Sequence, residues 1–278
     1  MAPYCKHVPF RSSENESSVE DGTMCRMPSP EAGPLQANAM SHSPETRADT
    51  NGKDANDASD NGIFSGSAFV VGTGMASVVR IPVPGTNGLY IELSPRGWTP
   101  KGGSTSTLFI QDVTGKRHLR LDFGFNKNTG SVDYHWNQKG TFSDFGIKDH
   151  SSAGPKGEAL FKGAKYLRYG GRVLLVVGLA LDVYSIVAAK KRWRQVAKVA
   201  AGWGGAWAGC EGVGALGAGA GTLVEPGFGT AVGGLGGCIV GGIGGYAGAS
   251  WAAGHAYDWI EETFFEAVPE IKPSEVGQ

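Results

Sequence analysis

The sequence lacks the features that mark several common protein classes. It has four cysteines, at positions 5, 25, 210 and 238, which excludes a disulfide-dense secreted scaffold. No CxxC pair or Cys/His cluster occurs, so no structural metal is expected. No GxxxxGK[ST] is present, which excludes a P-loop. Neither charge sign dominates, since 25 Lys and Arg against 26 Asp and Glu leave −1 over 278 residues. That balance argues against a nucleic-acid coat or a polycationic membrane binder. The opening residues MAPYCKHVPFRSS carry no apolar core of a secretory signal, so any export would need a route that does not read one. Glycine, in contrast, is abundant: 45 residues, more than twice the usual share of about 7%.

Composition divides the chain into three zones and a tail. Residues 1–62 hold only Val8, Val19 and Leu35 of the Ile, Leu and Val type, with six prolines, ten acids and five bases. Such a stretch cannot bury enough apolar surface to offset its ordering entropy, so a disordered leader is expected. Residues 63–152 read as a small β-rich domain. Its short apolar runs, Ala68–Val71, Val78–Ile81, Leu89–Leu93 and Leu108–Ile110, are separated by turn chemistry such as Pro84-Gly85-Thr86-Asn87-Gly88. Residues 157–265 read as helical and membrane-interacting, and 266–278 as a flexible tail. The predicted class is therefore α+β.

The glycines decide what the helical zone is. Residues 199–254 carry 21 of them and only two charges, Glu211 and Glu225. A flexible linker would not interleave Trp203, Trp207, Leu235, Ile239, Val240, Ile243 and Trp251. Gly229, Gly233, Gly237, Gly241 and Gly245 recur every fourth residue. Gly205, Gly209, Gly217 and Gly221 repeat the spacing upstream, with Val213 at the vacant step. On a helix, residues four apart share a face. Glycine costs about 1 kcal/mol against alanine in a water-exposed helix, whereas lipid enforces the helix and small faces let two helices approach. A glycine-zipper hairpin over 196–254 follows, with its corner at Glu225-Pro226-Gly227 and arms long enough to span a bilayer. The GxGxxG match at 212–217 has no strand before it and no acid about twenty residues on, so it is not a dinucleotide site. Cys210 and Cys238 fall on opposite arms, where a buried reduced pair is the expectation and a disulfide the alternative.

Two further features carry chemistry. The apolar run Val173–Ala189 is interrupted by Asp182 and followed by Lys190, Lys191, Arg192, Arg194 and Lys198. Those cations suit anionic headgroups, each contributing about 1 kcal/mol near a membrane surface. The run itself is open to three placements: in the interface, against the hairpin, or across the membrane under a potential. In the β zone, Leu119, Leu121 and Phe123 alternate with His118, Arg120 and Asp122, and Val132, Tyr134 and Trp136 with Asp133, His135 and Asn137. A hairpin about Asn126-Lys127-Asn128-Thr129-Gly130 would set Asp122 opposite Asp133, Arg120 opposite His135 and His118 opposite Asn137. Two histidines, an arginine and two carboxylates on one face are ingredients of metal-independent phosphodiester cleavage; a solvated ion-pairing face is the plainer alternative. Lys139, Thr141, Asp149 and His150 lie just beyond.

The segments Lys116-Arg117-His118-Leu119-Arg120-Leu121-Asp122-Phe123-Gly124 and Asp133-Tyr134-His135-Trp136-Asn137-Gln138-Lys139-Gly140-Thr141, with Gly163-Ala164-Lys165-Tyr166-Leu167-Arg168-Tyr169-Gly170-Gly171-Arg172 and the zipper, resemble bacterial polymorphic-toxin and type VI secretion-associated effector modules. The resemblance covers about 116–265. It implies an interbacterial antagonist exported without a signal peptide and neutralised in the producer by a cognate immunity protein; the leader, where it is more than a plain solvated tail, would dock a secretion apparatus or chaperone.

The leading expectation is a pore-forming effector whose hairpin inserts into the target-cell inner membrane, with copies associating there through glycine faces, and with no cofactor or metal. The alternatives are a nuclease-like toxin acting through His118, Arg120, Asp122, Asp133 and His135, which alone would engage nucleic acid, and a membrane-anchored adaptor without toxicity.

Overall fold

A computed structural model of the chain describes residues 56–95 and 105–264. The expected tail and the leader through residue 55 lie outside the described residues. In chain order the elements are α1 (Asn56–Met75), β1 (Ile81–Pro82), β2 (Tyr90–Glu92), β3 (Thr105–Gln111), β4 (His118–Asn126), β5 (Ser131–Lys139), α2 (Phe142–Phe145), β6 (Ser151–Ser152), α3 (Gly154–Ala188), α4 (Arg192–Val224) and α5 (Phe228–Phe264). The class is α+β, as the change of period predicts.

The strands form one antiparallel meander in sequence order, with two-residue strands at both edges, an arrangement that leaves little edge to pair with another chain. The period-2 alternation of β4 puts Leu119 and Leu121 into the core. There they meet Trp136 of β5, which pairs with Leu121, and α3, whose Phe161 packs against Phe123 and Tyr134.

Two runs expected as strands are not strands. Ala68–Val71 lies inside α1, which runs through residues 56–62 as well, and Val78–Ile81 is a turn that becomes strand only at Ile81. The cause is tertiary. Gly72 and Gly74 let α1 sink between α5 and α3, where a Cβ on Gly72 would overlap the Ile243 backbone and one on Gly74 would press on the Gly171 carbonyl. No window of α1 reveals those neighbours.

The hairpin of α4 and α5 turns at Glu225-Pro226-Gly227, with Gly227 at φ 82°. The glycines pair in strict antiparallel order: Gly205 with Gly245, Gly209 with Gly241, Val213 with Gly237, Gly217 with Gly233 and Gly221 with Gly229. A Cβ on any of these nine glycines would collide with the carbonyl oxygen of its partner. Backbone therefore lies on backbone along the whole seam. Within it the Cys210 and Cys238 Cα atoms stand 3.6 Å apart and their sulfurs are bonded. This corrects the expected reduced pair, because the glycine seam brings the two residues into contact.

Candidate functional site

Four helices form a bundle, and charge divides it into levels. α1 meets α5 at Gly72 and Gly242, and α3 at Gly74 and Gly171. One level is thus set by Arg172, and by Glu211 two positions beyond the Gly209–Gly241 contact. The other end carries Lys190, Lys191, Arg192, Arg194 and Lys198, facing Asp258 and Glu261 of α5. Residues 173–189, on α3 and the position after it, contain one charged residue, Asp182. Seventeen residues at 1.5 Å each make this belt about 26 Å tall, close to the roughly 30 Å of bilayer hydrocarbon.

The surface of the belt is apolar. Val173, Val176, Val177, Leu179, Val183 and Val187 are all exposed, and only 17% of the most apolar window of α3 is buried. Aromatic side chains stand at both ends. Tyr166, Tyr169 and Trp207 are exposed on the sheet side, and Trp193, Trp251 and Trp259 on the far side. Such rings favour the two membrane–water interfaces. Beyond the belt the hairpin tip is covered on one side by Ile81 and Ile91, which abut Gly214 and Gly234, while Leu216, Leu223 and Val224 are exposed.

Asp182 sits inside the bundle at 2% exposure. Its carboxylate accepts the Trp203 indole N–H of α4 and the Tyr246 hydroxyl of α5, each at 2.7 Å. The Val173–Ala189 run thus lies in a helix that packs on the hairpin through this node. Neither Trp203 nor Tyr246 was predicted as its partner, since 21 and 64 residues of chain intervene.

The basic cluster is partly spent on the protein itself. Arg194 makes a two-pronged pair with Asp258 at 2.7 and 2.7 Å, and Lys191 donates to Glu261 at 2.6 Å. That bond raises the Lys191 pKa above its usual value. The Lys198 stem lies on Gly254. Lys190 and Arg192 make no ion pair among the described residues.

The polar sheet face forms in a register shifted by two from the expected one. Asn126 pairs with Ser131, so Asp122 lies opposite His135, Arg120 opposite Asn137, His118 opposite Lys139, and Asp133 opposite Gly124. The turn spans Lys127–Gly130, and Gly130 takes the left-handed conformation at φ 68°. A shift of two keeps every side chain on its predicted face but separates Asp122 from Asp133.

These polar groups are occupied with one another. Asp122 accepts the Ser106 hydroxyl, placed there by a bulge in β3, and Arg120 lies 3.4 Å away. His135 meets Asp133 at 3.0 Å and stacks on His150, which pairs with Asp149 at 2.8 Å. Asp133 also accepts from Asn126 and Thr129, and Thr141 donates to the His118 carbonyl. Asp122 and His135 are each 1% exposed. His118 keeps a buried Nδ1 without a partner, and burial, with Arg120 nearby, holds its pKa below the ordinary 6.5. Among the described residues, no three His, Cys, Asp or Glu side chains are placed to hold a metal ion.

A cavity of about 660 Å³ lies between β2, α3 and α4 and is lined by Arg80, Glu92, Arg172, Trp207 and Glu211 among others. Sequence reasoning missed it; the one signal was Glu211, an acid standing almost alone in the glycine zone.

Fold and site together define an α+β protein in which a meander sheet caps a glycine-seamed bundle, with two helices, α3 and α5, long and apolar enough to cross a membrane. The chain matches no protein-family model, no curated protein and no solved structure.

Proposed function

We propose that this protein is an interbacterial effector that inserts its helical bundle into the target-cell inner membrane and permeabilises it. The observation that carries this is the belt: exposed aliphatic side chains on α3 over about 26 Å, bounded by aromatic rings and charges at both ends. An apolar surface of that extent in water invites association, and lipid is the solvent that suits it. The hairpin enters already zipped, because its glycine faces are filled by each other. Copies then meet through the exposed side chains of α3 and α5 rather than through glycine. Lys190 and Arg192 dock on anionic headgroups. A cognate immunity protein protects the producer, and a secretion-apparatus or chaperone partner shields the belt before delivery.

Catalysis by the sheet face is not favoured, since Asp122 and His135 are buried and spend their hydrogen bonds on neighbours. The test is release of K⁺ or dye from sealed anionic liposomes by the purified full-length protein, with and without an imposed potential. Release is expected. Intact vesicles across lipid compositions and potentials would overturn the proposal.

A further inference from the structure

The cavity at the junction of sheet and bundle lies at the sheet-side edge of the apolar belt. Its walls combine one charge pair that meets with two opposite charges that make no ion pair among the described residues. Arg80 and Glu92 are paired with each other at 2.9 Å. Arg172 from α3 and Glu211 from α4 line the same space, and neither has a hydrogen bond or ion pair among the described residues. The Ser94 hydroxyl, also on the wall, is buried without a partner. Trp207, half exposed, stands at the rim one helical turn before Glu211.

A cation and an anion that line one cavity without pairing complement a zwitterion of the reverse polarity. A phosphate pairs with guanidinium through parallel N–H···O bonds, and an ammonium with three N–H donors pairs with a carboxylate. The depth selects the form of the ligand. At a bilayer edge the zwitterions present are lipid headgroups, and an indole at the rim suits the interface just above acyl chains. We propose that this cavity binds the headgroup of a phosphoethanolamine lipid, with Arg172 on the phosphate, Glu211 on the ammonium, Ser94 donating to a phosphate oxygen and Trp207 against the glycerol and upper chain. The proposal rests on the membrane placement given above.

The test uses full-length protein in detergent with equimolar phosphatidylethanolamine, phosphatidylcholine and phosphatidylglycerol, scored by native mass spectrometry of retained lipid. Preferential retention of the ethanolamine lipid is expected. Glu211→Gln should reduce its preference over the choline lipid about tenfold, and Arg172→Gln should reduce retention of all three by about that factor, as loss of a charge-assisted hydrogen bond implies. Equal retention of the three lipids, or retention indifferent to both variants in protein of unchanged helicity, overturns the site. Soluble glycerophosphoethanolamine is the second probe. Should it bind in a Glu211-dependent way while the protein ignores vesicles, the membrane placement fails, and the lipid assignment falls with it in favour of a soluble zwitterion. Vesicle release without headgroup preference removes this site alone and leaves the proposed function standing.

Discussion

Two ionisable residues, one buried and one half-buried, show how position, rather than type, sets behaviour. Asp182 lies in an apolar run where an unpartnered acid would be costly, and it is stable there because it accepts from Trp203 and Tyr246. Asp182→Ala removes the shared acceptor of both hydrogen bonds and should cost about 2–4 kcal/mol, seen as a lower thermal midpoint in detergent. Asp182→Asn should lose less than half of that, since an amide can accept from the indole and donate to the phenol. His118 works in the opposite sense. Its folded pKa is below 6.5, so from 6.5 downward the unfolded chain binds the proton more readily. Stability therefore falls as pH drops below about 6.5 and levels off only beneath the folded pKa. His118→Gln should flatten that part of the stability profile, measured as melting temperature between pH 7.5 and 5; an unchanged slope would contradict it.

At the scale of elements, the two arms of the hairpin separate glycines that fill a seam from glycines that fill none. Gly209, Gly217, Gly233 and Gly241 each face a carbonyl oxygen across the seam, while Gly204, Gly212, Gly236 and Gly244 have no atom within 4 Å of an added Cβ. The same substitution must then have opposite signs. Gly217→Ala should destabilise the hairpin by about 3 kcal/mol or more, because backbone cannot yield as a side chain can. Gly244→Ala should stabilise by up to about 1 kcal/mol through helix propensity. Chemical denaturation of the pair of variants checks both. Equal effects would mean that the seam is not as described. In the proposed function, the same distinction moves copy–copy association away from the glycines and onto the exposed faces.

At the scale of the whole molecule, charge divides into groups that hold the fold and groups that face outward. Arg194 and Lys191 close the far end of the bundle against Asp258 and Glu261, whereas Lys190 and Arg192 do not. Neutralising Lys190 and Arg192 together should weaken partition onto phosphatidylglycerol vesicles by about 2 kcal/mol, or some thirtyfold, with little change on neutral vesicles. Arg194→Gln should instead lower the melting temperature by leaving Asp258 unpaired. Vesicle flotation and a thermal scan separate the two outcomes. Loss of binding from Arg194→Gln with no loss of stability would assign the cluster differently.

Much of this arrangement was legible in the sequence because it rests on local periodicity. Period two placed β4 and β5 with the correct faces, the four-residue glycine spacing placed the hairpin seam and its corner, and the composition placed the class. Tertiary contact decided the remainder. α1 resembles a strand in its own window and is a helix because Gly72 and Gly74 meet Ile243 and Gly171, residues far along the chain. The turn geometry at Gly130 set the register that parts Asp122 from Asp133. Cys210 met Cys238 because glycines brought two backbones together. Asp182 found Trp203 and Tyr246, and Arg172 came to share a cavity with Glu211, through packing of helices that no short-range pattern encodes. Periodicity reports which face of an element is apolar; only packing determines what that face meets.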